Sequence, residues 1–190
     1  HQAVKKYYQA GEDLSLHYKK LLASVPMASR TAAPVAEVSC PEVLPVSAEV
    51  LEAAGAMPEN ATVGDWVRVV CEDMGLSALL LRRANSAAYG LPGKVANVPM
   101  AVALLGGQGT RRLVLEQAAA PQNAGALVAS LNRRARVLAA LSEGLAQASG
   151  KVSRGTALTA GVLSELGNLA LFLQFPEKFE KLPPRLFGRE

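Results

Sequence analysis

Residues 62–90 read TVGDWVRVVCEDMGLSALLLRRANSAAYG, and their spacing decides the fold class. Thr62, with Asp65 three positions on, is the pattern of a capping box, so a helix starts here. Val63, Trp66, Val67, Val70 and Met74 fall at i, i+3, i+4, i+7 and i+11, one apolar stripe. Gly75 reads as its break. Leu76, Leu79, Leu80, Ala84, Ala87 and Ala88 then line a second helix, with Arg82 and Arg83 outside it. The run Tyr89-Gly90-Leu91-Pro92-Gly93 ends that helix, because Gly90 can take a left-handed conformation and Pro92 prevents resumption.

The same signals continue in both directions. Upstream, Ser47 is placed to cap a helix through Ala54. Downstream, Asn97 caps a helix with Pro99 in its tolerant first turn, and Gly106-Gly107 ends it. A helix starting at Gln108 or Thr110 runs to Ala119 and closes at Pro121. A long helix over 123–148 keeps Leu127, Leu131, Leu138, Leu141 and Leu145 on one side and ends at Gly150. Residues 156–173 are apolar nearly all round, which predicts a single, central, buried helix. No convincing strand and no internal repeat is present. Residues 2–24 carry Leu14, Tyr18, Leu21 and Leu22 at helical spacing, followed by a proline-rich stretch. The expected organisation is a helical N-terminal segment and linker over 1–35 and a main domain over 36–190.

Composition agrees with an all-α fold. Ala (33) and Leu (28) make up about a third of the 190 residues, Ile is absent, and aromatics are 5%. A chain of this length buries roughly 70% of its unfolded surface and needs no disulfide or metal staple. The only histidines are His1 and His17. A multi-His metal centre or a Ser-His-Asp triad in the body of the chain is therefore excluded. Cys40 and Cys71 are too few and too far apart for a zinc knuckle or a redox CxxC pair, and point to a reducing, cytoplasmic setting. Net charge is +4 with no run of five like charges, which favours a solvated surface over a nucleic-acid footprint. The start, HQAVKKYYQAGED, lacks the apolar core of a secretory signal. The most apolar 20-residue window, 156–175, contains Glu165, Asn168 and Gln174, so it reads as a buried helix and not a membrane span.

Two segments stand out as a set. The first joins EDMGL (72–76), LRRANSAAYG (81–90) and VPMAVALLG (98–106); the second is AGVLSELGNL (160–169). Over roughly residues 40–182 this resembles the HDOD family, the HD-related output domains of bacterial signalling proteins. That family pattern has a helix ending in Asn-Ser-x-x-Tyr-Gly, then an Ala-Ile-x-x-Leu-Gly helix, then an Ala-Gly-Leu-Leu-His-Asp-Ile-Gly helix. The resemblance implies an all-α, HD-like helical bundle preceded by a short helical segment. The family pattern runs past Leu182, so the resemblance also implies a domain shortened at its C-terminus. Asn85, Ser86, Tyr89, Gly90, Gly161 and Gly167 occupy family-motif positions, and the residue types favour a structural role for them. Asn and Ser side chains at a helix end bond backbone groups and fix the following turn.

The departures from the pattern concern chemistry. In the wider HD superfamily, His and Asp on the last helix and a His on the preceding long helix ligate a divalent metal. By the resemblance, those positions hold Ser164, Glu165 and Arg134 in this chain. Arg is a permanent cation and cannot ligate a metal. At about 100° per residue, Arg134 projects within the leucine stripe of its helix, while Arg133 and Arg136 point away. The first reading is that Arg134 snorkels to solvent along its aliphatic stem. The second is an Arg134–Glu165 ion pair filling the vestigial site, since a buried cation requires an anion. Arg82-Arg83, Arg111-Arg112 and Arg133-Arg136 are candidate parts of a basic contact patch, against the simpler reading of solvated helix faces. No aromatics interleave them, which counts against single-strand binding. The loop Gly106-Gly107-Gln108-Gly109 lacks the Lys of a phosphate loop and reads as a turn.

The expectation is a non-catalytic regulatory or scaffolding module of bacterial signal transduction. It would be cytoplasmic, without metal or cofactor, and would act through contacts with other signalling proteins, not with nucleic acid or membrane. Its oligomeric state is open. The alternatives are a nucleotide second-messenger sensor, or a residual metal-dependent phosphohydrolase in the degenerate pocket, with nucleic-acid binding as a third.

Overall fold

A computed structural model describes residues 44–89, 93–118 and 125–177. The chain divides into two units, His1–Val38 and Ser39–Glu190, and all described residues belong to the second. The N-terminal segment, Cys40 and Gly90 lie outside them. The described elements are α1 (Ala48–Gly55), α2 (Val63–Val70), α3 (Met74–Ala84), a 3₁₀ turn (Ala87–Tyr89), α4 (Val98–Ala118), α5 (Ala126–Ser149), α6 (Arg154–Val162), a second 3₁₀ turn (Leu163–Glu165) and α7 (Leu166–Gln174). Among the described residues there is no strand, and the fold is the all-α bundle that the sequence implies.

Local chemistry explains most of the boundaries. The Thr62–Asp65 capping box forms: Asp65 N–H donates to Thr62 Oγ1 at 3.2 Å, and Thr62 N–H donates to Asp65 Oδ2 at 3.0 Å. The Thr62 hydroxyl, which also donates to Asp65 Oδ2 at 2.6 Å, and then the Thr62 N–H hold the exposed Asp65 carboxyl below the usual carboxylate range. Asn97 Oδ1 accepts from Met100 N–H at 2.9 Å and opens α4. Gly106, at φ 69°, kinks α4, so the expected break sits at one residue and helix resumes at Gly107. Gly150, at φ 64°, ends α5 in the left-handed conformation.

Three expectations are corrected. The break between α2 and α3 is made by Cys71-Glu72-Asp73, with Asp73 as N-cap; Gly75 lies inside the first turn of α3. A Cβ there would sit 2.5 Å from the Pro45 carbonyl, so glycine is needed for close approach and not for a turn. Helix α3 ends at Ala84 and not at Tyr89, because Asn85 takes the C-cap. Residues 156–173 are not one buried helix. They are α6 and α7 separated by the 3₁₀ turn that carries the buried Glu165, with Leu171 exposed and Phe172 half-buried. The span Arg154–Gln174 is long and apolar enough by composition to cross a membrane.

Helices α5 and α6 make the most extensive interface. Arg154 meets Glu143, Gly161 meets Ala139, and Glu165 meets Arg134, so the two run antiparallel. At Gly161 an added Cβ would lie 2.4 Å from Ala139 Cα, so the contact is backbone against backbone. Trp66, Val70, Met74, Leu76, Leu80, Val98, Val102, Val114 and Leu131 fill the centre, each 2% exposed or less. The leucine stripe of α5 is only half core. Leu127 and Leu131 are buried, while Leu138, Leu141 and Leu145 face solvent, because α6 packs on the Ala139 and Ala146 side.

Candidate functional site

The positions where the resemblance implies a metal lie at the end of α6 and the middle of α5. Arg134 Nη2 stands 2.9 Å from Glu165 Oε1. Glu165 is buried, and Asn168 Nδ2, one turn on, donates to its Oε2 at 2.6 Å. The Arg134 side chain is 42% exposed, so it does both things expected of it: it pairs with Glu165 and keeps its stem partly in water. Ser164 is exposed and donates to the Gly161 carbonyl at 2.7 Å. This donor set does not fit a divalent ion. A guanidinium occupies one carboxylate oxygen, an amide the other, and the neighbouring hydroxyl is turned onto backbone. Among the described residues no three of His, Cys, Asp and Glu gather where an ion could sit.

A second polar centre has no counterpart in the sequence reading. Asp73 is fully buried and accepts four hydrogen bonds: from Ser47 N–H at 3.0 Å, Ser47 Oγ at 3.1 Å, Leu76 N–H at 2.9 Å and Asn132 Nδ2 at 2.8 Å. Asn132 Oδ1 in turn accepts from Met74 N–H at 3.0 Å. Ser47 is thus the N-cap residue of α1, but its hydroxyl serves Asp73 and not its own helix. One carboxylate ties the starts of α1 and α3 to the middle of α5. Asn132 was missed because its neighbours, Arg133 and Arg134, make the stretch read as solvated. The signal available was Asp73 directly before an apolar helical run, an N-cap signature.

The family-motif residues are arranged as follows. Asn85 Nδ2 donates to the Leu81 and Val95 carbonyls at 3.0 and 2.9 Å, and Asn85 Oδ1 accepts from Val95 N–H at 3.0 Å. Asn85 therefore fastens the chain after the motif to the end of α3. Ser86 donates its N–H to the Arg83 carbonyl and accepts from Tyr89 N–H. The Tyr89 ring is partly exposed at 37% and does not pack as a core residue. Gly161 is required by the α5 contact, whereas nothing lies within 4 Å of a Cβ at Gly167, and nothing in the structure explains a glycine there.

Several residues of the candidate basic patch are engaged by carboxylates. Arg83 and Arg112 both pair with Glu116, Arg136 pairs with Glu72, and Arg154 with Glu143. Arg111 leaves the surface set. It donates to the Gly55 and Met57 carbonyls at the end of α1 and stacks 5.7 Å over the Trp66 ring. Two depressions are lined by described residues. One, about 240 Å³, is lined by Arg82, Arg83, Ser86, Leu79, Leu113 and Glu116 and adjoins the family motif. The other, about 320 Å³, lies between α2, α5 and α6, with Val67, Cys71, Ala139 and Leu158 in its lining. Burial, with Glu72 and Glu143 nearby, pushes the Cys71 thiol up to about 12. At neutral pH it stays protonated and is a poor nucleophile.

The model of the HDOD domain family matches residues 41–186. Two solved structures of the MmoQ response regulator from Methylococcus capsulatus str. Bath are similar. One is 24% identical with a TM-score of 0.65 over 74% of this chain and 58% of that one. The other, a fragment over 20–298, is 23% identical with a TM-score of 0.63 over 77% and 64%. The chain thus spans less than two thirds of either. No curated protein matches it.

Proposed function

The chain belongs to the HDOD domain family, and we propose that it is a non-catalytic regulatory module of bacterial signal transduction that works in the cytoplasm through contacts with other signalling proteins. The observation that carries this reading is the Arg134 guanidinium, 2.9 Å from Glu165 where catalytic HD relatives ligate metal. A permanent cation in that place repels a divalent ion and cannot donate a lone pair to one. What remains is a rigid helical body whose polar centres are spent on holding helices together. The likeness in fold to a response regulator supports a signalling context.

The reading is tested by capturing proteins from the source cell on the intact gene product, then repeating the binding with the purified candidate. Stoichiometric binding of a signalling protein, without nucleotide or metal, is the expected result. The depression beside Ser86, with Arg82 and Arg83 in its lining, favours a second reading as a sensor of an anionic small molecule. Saturable binding of a nucleotide second messenger, lost in Arg83→Ala, would replace the first reading by the second.

A further inference from the structure

The depression of about 240 Å³ between α3 and α4 has an apolar floor and a cationic rim. Leu79 and Leu113, both buried, lie in its lining with Ser86. Arg82 and Arg83 are exposed and come from the last turn of α3. Arg112, with its side chain 82% exposed, approaches from α4. Lys94 is exposed and precedes Val95, which Asn85 bonds to the same end of α3. Glu116 is the one carboxylate among the described lining residues. Arg83 Nη2 and Arg112 Nε donate to its two oxygens at 2.8 and 3.2 Å. A guanidinium has five N–H donors, so both arginines have donors left over. Helices α3 and α4 end here, and each negative helix end offsets about half a charge, which leaves the cations in excess.

We propose that this depression receives an acidic segment of a protein partner, with carboxylates on the arginines and one apolar side chain over Leu79 and Leu113. The proposal rests on the reading of the chain as a protein-contact module and gives that contact a place. Charge complementarity selects the sign of the partner. The surroundings of Glu116 already show the recognition on a small scale: guanidiniums from two helices bridge one carboxylate. Size favours a side chain of a larger partner over an enclosed small molecule, because about 240 Å³ falls below the roughly 300–1,000 Å³ of small-molecule pockets. The described lining contains no aromatic ring to stack a nucleobase, and Glu116 repels a phosphate. The arginines are exposed enough to meet a partner without moving, so the contact is a rim of charges around one apolar anchor. Such a contact is weak and sensitive to salt.

The probe is a fluorescein-labelled peptide with one leucine between two short runs of glutamate, titrated with the intact 190-residue chain and read by fluorescence polarisation. Saturable binding with a Kd of roughly 10–500 µM is expected, weakening as salt rises from about 50 to 300 mM. Arg83→Gln combined with Arg112→Gln should weaken it at least roughly tenfold. Arg68→Gln combined with Arg133→Gln removes the same charge from exposed positions on α2 and α5 and should bind like the parent. These side chains are all exposed, so the thermal midpoint should not move in either variant. No saturable binding overturns the proposal. So does a loss of equal size in the two variants, or displacement of the peptide by micromolar cyclic AMP, which would assign the cations to a small anion. A captured signalling protein that binds the parent and the Arg83→Gln, Arg112→Gln chain alike overturns this surface and leaves the contact reading in place. Peptide binding without any captured protein supports the surface and removes the contact reading.

Discussion

Asp73 and Glu165 are both buried carboxylates, and they are held in opposite ways. Asp73 is surrounded by four neutral donors drawn from α1, α3 and α5, and no described cation pairs with it. Glu165 is held by a half-exposed arginine and one amide. The first is a joint: removing it leaves donors from three parts of the chain unpaired in the interior. The second is a plug: one long side chain reaches in to the carboxylate, and its guanidinium end stays partly in water. Buried charge alone therefore does not mark function. What decides is whether the partners are rigid backbone and amide groups or one long side chain reaching in from solvent.

Asp73→Ala should produce the largest effect. It removes the α3 cap and strands Ser47 N–H and Asn132 Nδ2, which together cost about 3–5 kcal/mol. Urea denaturation reads it, and a loss under about 1 kcal/mol would break the contrast. Gly161→Ala comes next. The new Cβ meets the Ala139 backbone, which no rotamer change relieves, at a cost of about 2–3 kcal/mol. It also moves Glu165 away from Arg134, so it links stability to the plug. Arg134→Met should cost about 2 kcal/mol, because it leaves the buried Glu165 carboxylate with Asn168 alone, while the half-exposed guanidinium itself loses little. If it costs as much as Asp73→Ala, the two carboxylates are not of different kinds.

The smallest expected effect concerns Cys71, the buried thiol of the α2–α5–α6 depression. Its folded value is raised from 9.0 to about 12. The stability linked to it is fully present below pH 9 and is lost as pH rises from there toward 12, because the unfolded chain releases its proton first. Alkylation at pH 8 in a Cys40→Ser background should be at least roughly 100-fold slower in the native protein than in urea. Equal rates would show an open and reactive site.

The fold was legible where local chemistry sets it. The Thr62–Asp65 box, the Asn97 cap, the Gly106 kink and the Gly150 stop all follow from residues within a few positions of each other. The plug was legible as one of two readings, because the family resemblance placed Arg134 and Glu165 together. The joint was not. Asn132 meets Asp73 across 59 residues, and no local period encodes such a pairing. Likewise, the spacing of Leu138, Leu141 and Leu145 establishes an apolar face but not what covers it. The apolar run 156–173 hid its interruption because the one charge in it, Glu165, is satisfied from another helix.

The proposed closure of an HD-type metal site by Arg134 and Glu165 can be tested on the purified protein. The most direct measurement is elemental analysis of the purified protein after manganese loading, followed by a phosphodiesterase assay on the same sample. No stoichiometric metal and no turnover above buffer are expected. Metal bound one to one, with turnover that follows its occupancy, would contradict it.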